Sequence, residues 1–173
     1  MRLSLIHLSE TLEWEKQQTP KITPTLRDGF DCGEPTLNTF LSKFARQSED
    51  QNTARTWVAL DKTNKKIIGY VSISNASIEK ESAGAAVKSY VNPIPALLIA
   101  RLAVDQSYKG QGWGEEILLC AFQKAKEINE ISAIQAVVVD TLNANAEAFY
   151  KIYGFVKIGN TNKMIISTKE LFN

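Results

Sequence analysis

The sequence predicts a single α/β domain in which helices flank a mixed, mostly antiparallel sheet. Its length of 173 residues suits one domain, and 44% of those residues are apolar, which is enough to fill one core. Helix-type and strand-type patterns follow one another along the chain without an internal repeat. Charged residues make up 23% of the chain and no long Pro, Gly or Ser tract is present, so a disordered or fibrous protein is excluded.

Residues 1–25 are expected to form an irregular leader ahead of a folded domain at 26–173. Pro20 and Pro24 stand in a polar stretch, and both residues interrupt regular structure. The short apolar stretch at the start is followed by acidic residues and by no small-residue cleavage site, so we expect no signal peptide. The longest apolar stretch, 94–104, is too short and too interrupted to span a membrane, and we expect a cytoplasmic protein.

The first half of the domain predicts one helix and one antiparallel hairpin. Pro35 suits the first helical position, and a helix over 35–49 would bury one stripe of side chains at helical spacing, namely Leu37, Phe40, Leu41 and Phe44. Two β-rich runs then flank the polar turn 61–66, which predicts strands at 56–60 and 67–74.

The second half predicts strands and helices in alternation. The apolar run 97–104 is typical of a strand buried for much of its length, and it leads through a loop into a long amphipathic helix. Asn143 is placed to cap a short helix, and Gly154 suits the left-handed residue that ends it. The expected elements are a helix at 113–129, a strand at 133–139, a helix at 144–153 and strands at 155–158 and 164–166.

Charge and the scarcity of metal ligands narrow the function classes. Twenty Lys and Arg residues against nineteen Asp and Glu leave a formal charge of +1, so contact with a nucleic acid would have to come from local charge. His7 is the single histidine, which excludes histidine-centred triads and multi-histidine zinc sites. Cys32 and Cys120 lack metal-site or redox spacing and are interpreted as small apolar core residues, so no metal is expected.

The most informative segment is the turn that joins the buried strand to the long helix. It carries Gly110, Gly112 and Gly114, and a helix entered in this way presents free backbone N–H groups and a positive dipole end to an anion. The functional interpretation is phosphate binding, and the alternative is a tight turn that merely needs glycine. The turn lacks the Gly-Lys-Ser/Thr ending of a P-loop, and the usual acid of a dinucleotide-binding fold is not evident.

Two motifs resemble those of the GCN5-related N-acetyltransferases (GNATs). Lys109-x-x-Gly112-x-Gly114 looks like their Gln/Arg-x-x-Gly-x-Gly/Ala turn, and Asn143-x-x-Ala146-x-x-Phe149-Tyr150-x-x-x-Gly154-Phe155 is similar to their Asn-x-x-Ala-x-x-Phe-Tyr-x-x-x-Gly-Phe segment. Lys109 in place of Gln or Arg, and Trp113 in place of a smaller aliphatic residue, depart from the pattern. The resemblance implies a GNAT fold that binds acetyl-CoA through Leu102, Ala103, Val104, Lys109, Gly110, Gln111, Gly112, Trp113, Gly114, Asn143, Ala146 and Phe149.

A narrower resemblance covers the chain from Phe30 onward. Phe30-x-Cys32-Gly33, Arg55-Thr56, the run 93–105 and the C-terminal 164–171 look like the acetyltransferase toxins of bacterial toxin–antitoxin pairs. The resemblance implies that the protein acetylates the amino group of aminoacyl-tRNA and so stops translation, and that a ribbon-helix-helix antitoxin neutralises it. It leaves open whether the protein forms a homodimer.

The implied chemistry gives Tyr150 a role as acid. Transfer from a thioester requires a polarised carbonyl, an uncharged amine and a proton for the departing thiolate. The resemblance assigns the carbonyl to the backbone of 102–104 and the proton to Tyr150, whose alternative is a buried aromatic residue at helical spacing. No glutamate stands out as a general base, although Glu79, Glu81 and Asp105 are candidates. An α-amino group ordinarily has a pKa of about 7.7–8.0, so an aminoacyl ester or a peptide N-terminus needs a weaker base than a lysine does.

Alternatives remain open for the acceptor and for catalysis itself. A small amine or a peptide would suit the near-neutral charge, and a non-catalytic acetyl-CoA-binding regulator would keep the cofactor site without turnover. For tRNA we expect contacts from Arg46, Arg55 and Arg101, for which the alternative is a solvated basic surface. Arg101 stands inside an apolar strand, where a charge needs a partner or an open cleft.

Overall fold

The computed structural model describes residues 4–173, which form an α/β domain with a seven-stranded sheet. The strands are β1 (Ile6–His7), β2 (Arg55–Asp61), β3 (Lys66–Ile78), β4 (Ile94–Val104), β5 (Ala136–Asp140), β6 (Val156–Lys157) and β7 (Lys163–Ser167). The helices are α1 (Leu8–Lys16), α2 (Pro35–Thr39), α3 (Ala45–Asp50), α4 (Lys80–Ala83), α5 (Trp113–Ile131), α6 (Ala144–Ile152) and α7 (Thr168–Phe172). A π-helical turn, Phe40–Phe44, joins α2 to α3.

The strands follow one another in the order β1-β2-β3-β4-β5-β7-β6. The pairs β1–β2, β2–β3, β5–β7 and β6–β7 are antiparallel. β4 and β5 pair in parallel, with Ala96 opposite Ala136 and Ile99 opposite Val139. A parallel pair needs a long crossover connection, and α5 lies between these two strands in the chain. The predicted mixed, mostly antiparallel sheet with flanking helices is confirmed.

The described chain groups into two compact units, and the first comprises residues 4–73 and 101–121. Tyr70 is fully buried in its core, where its ring stacks on Phe40 and its hydroxyl donates to the Leu37 carbonyl at 2.8 Å. A buried phenol of this kind needs such an acceptor to offset the loss of water. The core residues are Leu8, Leu26, Phe30, Cys32, Phe40, Leu41, Ala45, Val58, Ile67, Tyr70 and Ala103.

The second unit comprises residues 74–100 and 122–173 and has a core of its own. Residues 136–139 of β5 are all buried, as expected for a central strand of β-branched residues. The core residues are Ile78, Ala83, Val87, Ile94, Ala96, Ala136, Val138, Ile158 and Ile165. No helix within residues 4–173 combines the length and the apolar character needed to cross a membrane.

The expected irregular leader is wrong for the described residues 4–25. β1 pairs with β2, and α1 follows at once, capped by the His7 ring nitrogen, which accepts from the Ser9 N–H. Leu8 and Thr11 are buried, and Leu8 joins the core of the first unit. The two prolines of the leader come after α1, so they limit its end without preventing its formation. Residues 1–3 lie outside the described part of the chain.

The predicted helix over 35–49 is observed as a helical stretch at 35–50, but its buried stripe changes partway. In the π turn the Ala45 N–H donates to the Phe40 carbonyl, five residues earlier. One extra residue in a turn rotates every later side chain, so Ala45 is buried and Phe44 is 49% exposed. The prediction that Phe44 completes the buried stripe is therefore wrong. A periodicity of 3.6 residues cannot reveal such an insertion.

Gly69 lets β3 lie close to the end of β4. A Cβ atom at this position would stand 2.5 Å from both the Ala103 carbonyl oxygen and the Ile117 Cδ1 atom. Any side chain would force these two groups away. The Asp105 N–H donates to the Ile68 carbonyl at 2.9 Å, which fixes the chain where β4 ends. The fold thus sets the position from which the glycine turn starts.

Candidate functional site

The turn between β4 and α5 is shaped by Asp105 and by two glycines. Asp105 is buried, and its Oδ1 atom accepts from the Ser107 N–H at 2.9 Å. A short 3₁₀ turn, Gln106–Tyr108, follows. Gly110 and Gly112 then have φ angles of 72° and 84°, a region in which any other side chain is strained. The path of the chain therefore requires glycine at 110 and 112, and Gly112 is a fixed position of the sequence motif.

The start of α5 presents main-chain N–H groups that have no acceptor within the helix. The first intrahelical bond runs from the Glu116 N–H to the Gly112 carbonyl, so the N–H groups of residues 112–115 have no intrahelical partner. A Cβ atom at Gly110 or Gly112 would meet no atom within 4 Å, so the space beside the chain is open. α5 is 19 residues long, and its N-terminus carries the positive end of the helix dipole. The arrangement offers donors, positive potential and room to an anionic group.

The side chains of the turn bond to the protein and not to open space. Lys109 Nζ donates to the Cys32 carbonyl at 2.7 Å. Gln111 Nε2 donates to the Ser107 carbonyl at 3.2 Å, and Trp113 Nε1 donates to Gln111 Oε1 at 3.3 Å. An anion at this turn would therefore meet backbone donors first.

The strand end before the turn carries Leu102, Ala103 and Val104. Ala103 is buried, and the two residues beside it are half-buried. The parallel register of β4 with β5 covers Ala96 to Ile99, while β4 itself continues to Val104. The role of this backbone toward a thioester stays a prediction.

Tyr150 lies in the second unit on the short helix α6. Asn143 caps that helix, as predicted, because its Oδ1 atom accepts from the Ala146 N–H at 2.9 Å. Gly154 ends the segment with a φ of 89°. The Tyr150 ring packs edge-on against Phe149 and Phe155, with centroids 5.2 and 5.4 Å away.

Burial controls the acidity of the Tyr150 hydroxyl. The residue is 6% exposed, and desolvation raises its pKa well above the ordinary value of 10.0. The phenol therefore stays protonated at neutral pH. A protonated phenol can act as an acid but not as a base.

The three arginines expected at a tRNA have different surroundings. The Arg101 guanidinium carbon lies 3.8 Å from the centroid of the Phe40 ring, and this cation–π contact is the partner that a charge in an apolar strand requires. Arg55 is held at the end of α3 by Glu49, at 3.3 Å, and by Asn52. Arg46 is 65% exposed and only loosely paired with Asp50, at 4.0 Å. Arg46 is thus the most accessible of the three.

The candidates for a general base also differ. Asp105 uses both carboxylate oxygens, because Oδ2 accepts from the Asp31 N–H at 2.9 Å while Oδ1 serves Ser107. Glu79 and Glu81 are exposed at the start of α4. The structure therefore assigns Asp105 to holding the turn. Of the two cysteines, Cys32 is buried as predicted and Cys120 is half-buried.

The sequence reasoning missed the pairing of Tyr108 with Asp61. The Tyr108 hydroxyl donates to Asp61 Oδ2 at 2.8 Å, and burial together with this bond raises the pKa of Tyr108 to about 12. Asp61 also accepts from both the N–H and the side-chain amide of Asn64. An Asp-x-x-Asn turn is visible in the sequence. Its contact with a tyrosine 47 residues away is not.

Comparison with known proteins gives one consistent group. The family model described as the acetyltransferase (GNAT) family matches residues 13–155. The "tRNA-acetylating toxin" of Mycobacterium tuberculosis (strain ATCC 25618 / H37Rv) is 28% identical over 127 residues, which cover 73% of this chain and 75% of the relative.

Solved structures agree with this grouping. AtaT complexed with acetyl-methionyl-tRNAfMet superposes with a TM-score of 0.80 at 25% identity, covering 98% of this chain and 97% of the other. An AtaT mutant toxin bound to the C-terminus of the antitoxin AtaR and acetyl-CoA gives 0.70 at 26% identity, with coverages of 84% and 86%. The GNAT fold expected from the two motifs is confirmed.

Proposed function

Since the chain belongs to the acetyltransferase (GNAT) family, we propose that it transfers an acetyl group from acetyl-CoA to the α-amino group of aminoacyl-tRNA and thereby acts as a toxin. The observation that supports this most directly is the group of N–H donors at 112–115, which open α5 without intrahelical partners. The names of the relatives point to the same substrate, since one is a tRNA-acetylating toxin and another is held with an acetylated aminoacyl-tRNA.

The turn suits the diphosphate of acetyl-CoA. Gly110 and Gly112 leave open space where other residues would place a side chain, so phosphate oxygens can approach the N–H groups of residues 112–115. In this proposal Lys109, Gln111, Trp113 and Gly114 contribute their backbone or frame the turn. The resemblance of the second motif supports a role for Asn143, Ala146 and Phe149 in binding acetyl-CoA, and the Asn143 oxygen also caps α6.

Tyr150 supplies the proton in the proposed reaction. When bound, acetyl-CoA supplies a thioester whose carbonyl carbon an amine can attack. The N–H groups of 102–104 donate to the carbonyl oxygen as the C–N bond forms. Tyr150 gives its phenolic proton to the sulfur as the C–S bond breaks, and water takes the proton that the amine loses. The raised pKa of Tyr150 keeps that proton in place until it is needed.

The α-amine of an ester-linked amino acid fits a site in which Asp105 is engaged in structural bonds. With an ordinary pKa of about 7.7–8.0, such an amine is partly neutral at pH 7, so water suffices as a base. Arg46, Arg55 and Arg101 are the proposed contacts for tRNA. Arg46 offers the most accessible charge, at 65% exposure.

A neutralising partner belongs to the proposal. A similar toxin is held with the C-terminus of its antitoxin. We extend that to this chain, and the resemblance of the sequence favours an antitoxin of the ribbon-helix-helix type. The same proposal places the protein in the cytoplasm, where its substrate is found.

The test of the function is a transfer assay with labelled acetyl-CoA. The protein is incubated with charged tRNA, with uncharged tRNA and with a panel of small amines and N-terminal peptides. We expect label on charged tRNA alone, released with the amino acid when the ester is hydrolysed. Label on small amines or peptides only would contradict the tRNA substrate, and binding of acetyl-CoA without any transfer would indicate a regulator.

A further inference from the structure

We propose that residues 31–33, here named the clamp segment, position the cofactor turn, and that Asp31 is a positioning residue for acetyl-CoA binding. The inference rests on the proposed function and adds residues that lie outside its two motifs. Asp31 neither carries the acetyl group nor moves a proton in this scheme. It acts through the turn.

Four hydrogen bonds join the clamp segment to the start of the turn. The Asp31 N–H donates to Asp105 Oδ2 at 2.9 Å, and the Gln106 N–H donates to the Asp31 carbonyl at 2.8 Å. Gln106 Nε2 donates to Asp31 Oδ2 at 2.8 Å. Lys109 Nζ donates to the Cys32 carbonyl at 2.7 Å. The first three of these bonds involve Asp31 itself, with backbone and side chain both in use.

The clamp segment is held rigidly by its own surroundings. Asp31 Oδ1 accepts from the Gly33 N–H and from Asn38 Nδ2, both at 2.8 Å. The Cys32 N–H donates to Asn38 Oδ1 at 2.9 Å, and the Cys32 side chain is buried in the core of the first unit. Gly33 has a φ of 86°, and a Cβ atom there would meet the Gln106 side chain at 3.5 Å. A rigid support can therefore transmit its position to the turn.

The turn needs such a support because glycine residues restrict the backbone conformation less than other residues do. Gly110 and Gly112 each have access to a wide range of backbone conformations. If the N–H donors beside them had to be ordered when the ligand binds, the entropy cost would lower the affinity for that ligand. The bonds at Asp105, Gln106 and Lys109 fix the chain immediately before the first glycine. The clamp segment thus orders the N–H groups of residues 112–115 before the ligand binds.

The direction in which acetyl-CoA affinity changes when the Asp31 carboxylate is removed distinguishes positioning from a purely electrostatic effect. Asp31 is an exposed carboxylate, and its pKa is lowered, first by the bond from the Gly33 N–H and then by that from Asn38, so it is charged at neutral pH. A negative charge alone would repel an anionic ligand, and its removal would tighten binding. Positioning predicts the opposite result.

The experiment measures the affinity of the full-length protein for acetyl-CoA by calorimetry. We expect Asp31→Ala to weaken binding about tenfold, which corresponds to the loss of hydrogen bonds to a charged group. The rate at saturating acetyl-CoA should change less than about threefold, because Tyr150 is untouched. Asp28→Ala is the matched control, since Asp28 is an exposed carboxylate whose hydrogen-bond partner is Thr25, three residues away in the chain. It should leave the affinity within about twofold.

A double-mutant cycle makes the test independent of folding. Gln106→Ala removes an exposed amide from the same contact, and the double variant with Asp31→Ala should be weaker than wild type by clearly less than the product of the two single effects. If Asp31→Ala fails to fold, Gln106→Ala alone should still weaken binding severalfold. Binding by Asp31→Ala as tight as by Asp28→Ala, or tighter, would overturn the inference. A wild-type protein that binds no acetyl-CoA would instead overturn the proposed function.

Discussion

At the scale of single residues, two buried tyrosines differ in the hydrogen bonding of their hydroxyl groups. Tyr70 and Tyr150 are both buried, and desolvation raises the pKa of each above its ordinary value. The Tyr70 hydroxyl donates to the Leu37 carbonyl and so stabilises the core. Tyr150 makes no comparable hydroxyl bond within residues 4–173, and in the proposed function its proton goes to the departing thiolate.

Replacing Tyr150 with Phe tests the proton donor. We expect Tyr150→Phe to lower the rate at saturating substrates by about 10²–10⁴, the usual contribution of a positioned acid, because the thiolate then leaves without a proton. The affinity for acetyl-CoA should stay within about threefold, since the ring and its packing are kept. Single-turnover transfer and calorimetry measure the two quantities. Tyr90→Phe, at an exposed tyrosine outside both motifs, is the control, and an equal loss of rate in both variants would contradict the role of Tyr150.

Replacing Gly112 tests whether the backbone N–H groups at the start of α5 bind acetyl-CoA. We expect Gly112→Ala to weaken acetyl-CoA binding more than about tenfold, because a side chain is strained at a φ of 84° and would occupy the space beside the N–H groups. Gly159 has a φ of 51° and equally open surroundings, but it lies outside both motifs. Gly159→Ala should therefore carry a similar strain and leave the affinity unchanged. Equal affinities for the two variants would argue against phosphate binding at the turn.

At the scale of elements, the ends of α6 were easier to predict than the interior of the helical stretch 35–50. Asn143 and Gly154 bound α6 as the sequence indicates, because caps depend on a side chain and a backbone conformation close by in the chain. The π turn at Phe40–Phe44 was not predicted, since an inserted residue leaves no local mark. In that turn Phe40 stacks on Tyr70, and the Arg101 guanidinium lies over the Phe40 ring.

The cap of α6 can be measured separately from chemistry. Asn143→Ala removes the acceptor of the Ala146 N–H and should cost about 1 kcal/mol of unfolding free energy, or about 2–4 °C in Tm for a chain of this size. Asn143→Asp keeps an acceptor and should restore most of the loss. Thermal denaturation followed by circular dichroism measures the effect. A Tm unchanged in Asn143→Ala would show that the cap contributes no stability.

At the scale of the whole molecule, charge is balanced and selective contact must be local. A net charge of +1 gives no general attraction for a polyanion. Several cations are already engaged by acids, as Arg55 is by Glu49 and Lys157 by Glu147. Few side chains are therefore left for phosphate contacts, and the dependence of tRNA binding on salt should be moderate.

Salt dependence tests this expectation. If about two phosphates are neutralised, the KM for charged tRNA should rise about tenfold between about 50 and 200 mM salt. Arg46→Ala should weaken tRNA binding and lower the slope of log KM against log salt by about 1. Lys169→Ala removes an exposed charge on α7 and should leave the slope unchanged. A slope that Arg46→Ala does not alter would remove this residue from the proposed contact.

The candidate site divides in the same way between what was predictable and what was not. The glycine turn, the cap at Asn143 and the Phe149-Tyr150 pair are short motifs whose spacing is readable in the chain. Asp31, Asp61 and Tyr108 act across 47 to 75 residues through hydrogen bonds that no local pattern indicates. The sequence analysis also lacks β1 and α1, because Pro20 and Pro24, which follow them, predict an irregular leader.

By itself, the amino-acid sequence determined the class of fold, the order of most elements and the family to which the chain belongs, since periodicity, caps and glycine turns are set by residues close in the chain. Tertiary structure alone decided which side of the π turn is buried, which acids support the turn and which arginine remains accessible. The physical reason is that hydrogen bonds and desolvation depend on neighbours in space, and those neighbours exist only once the chain has folded.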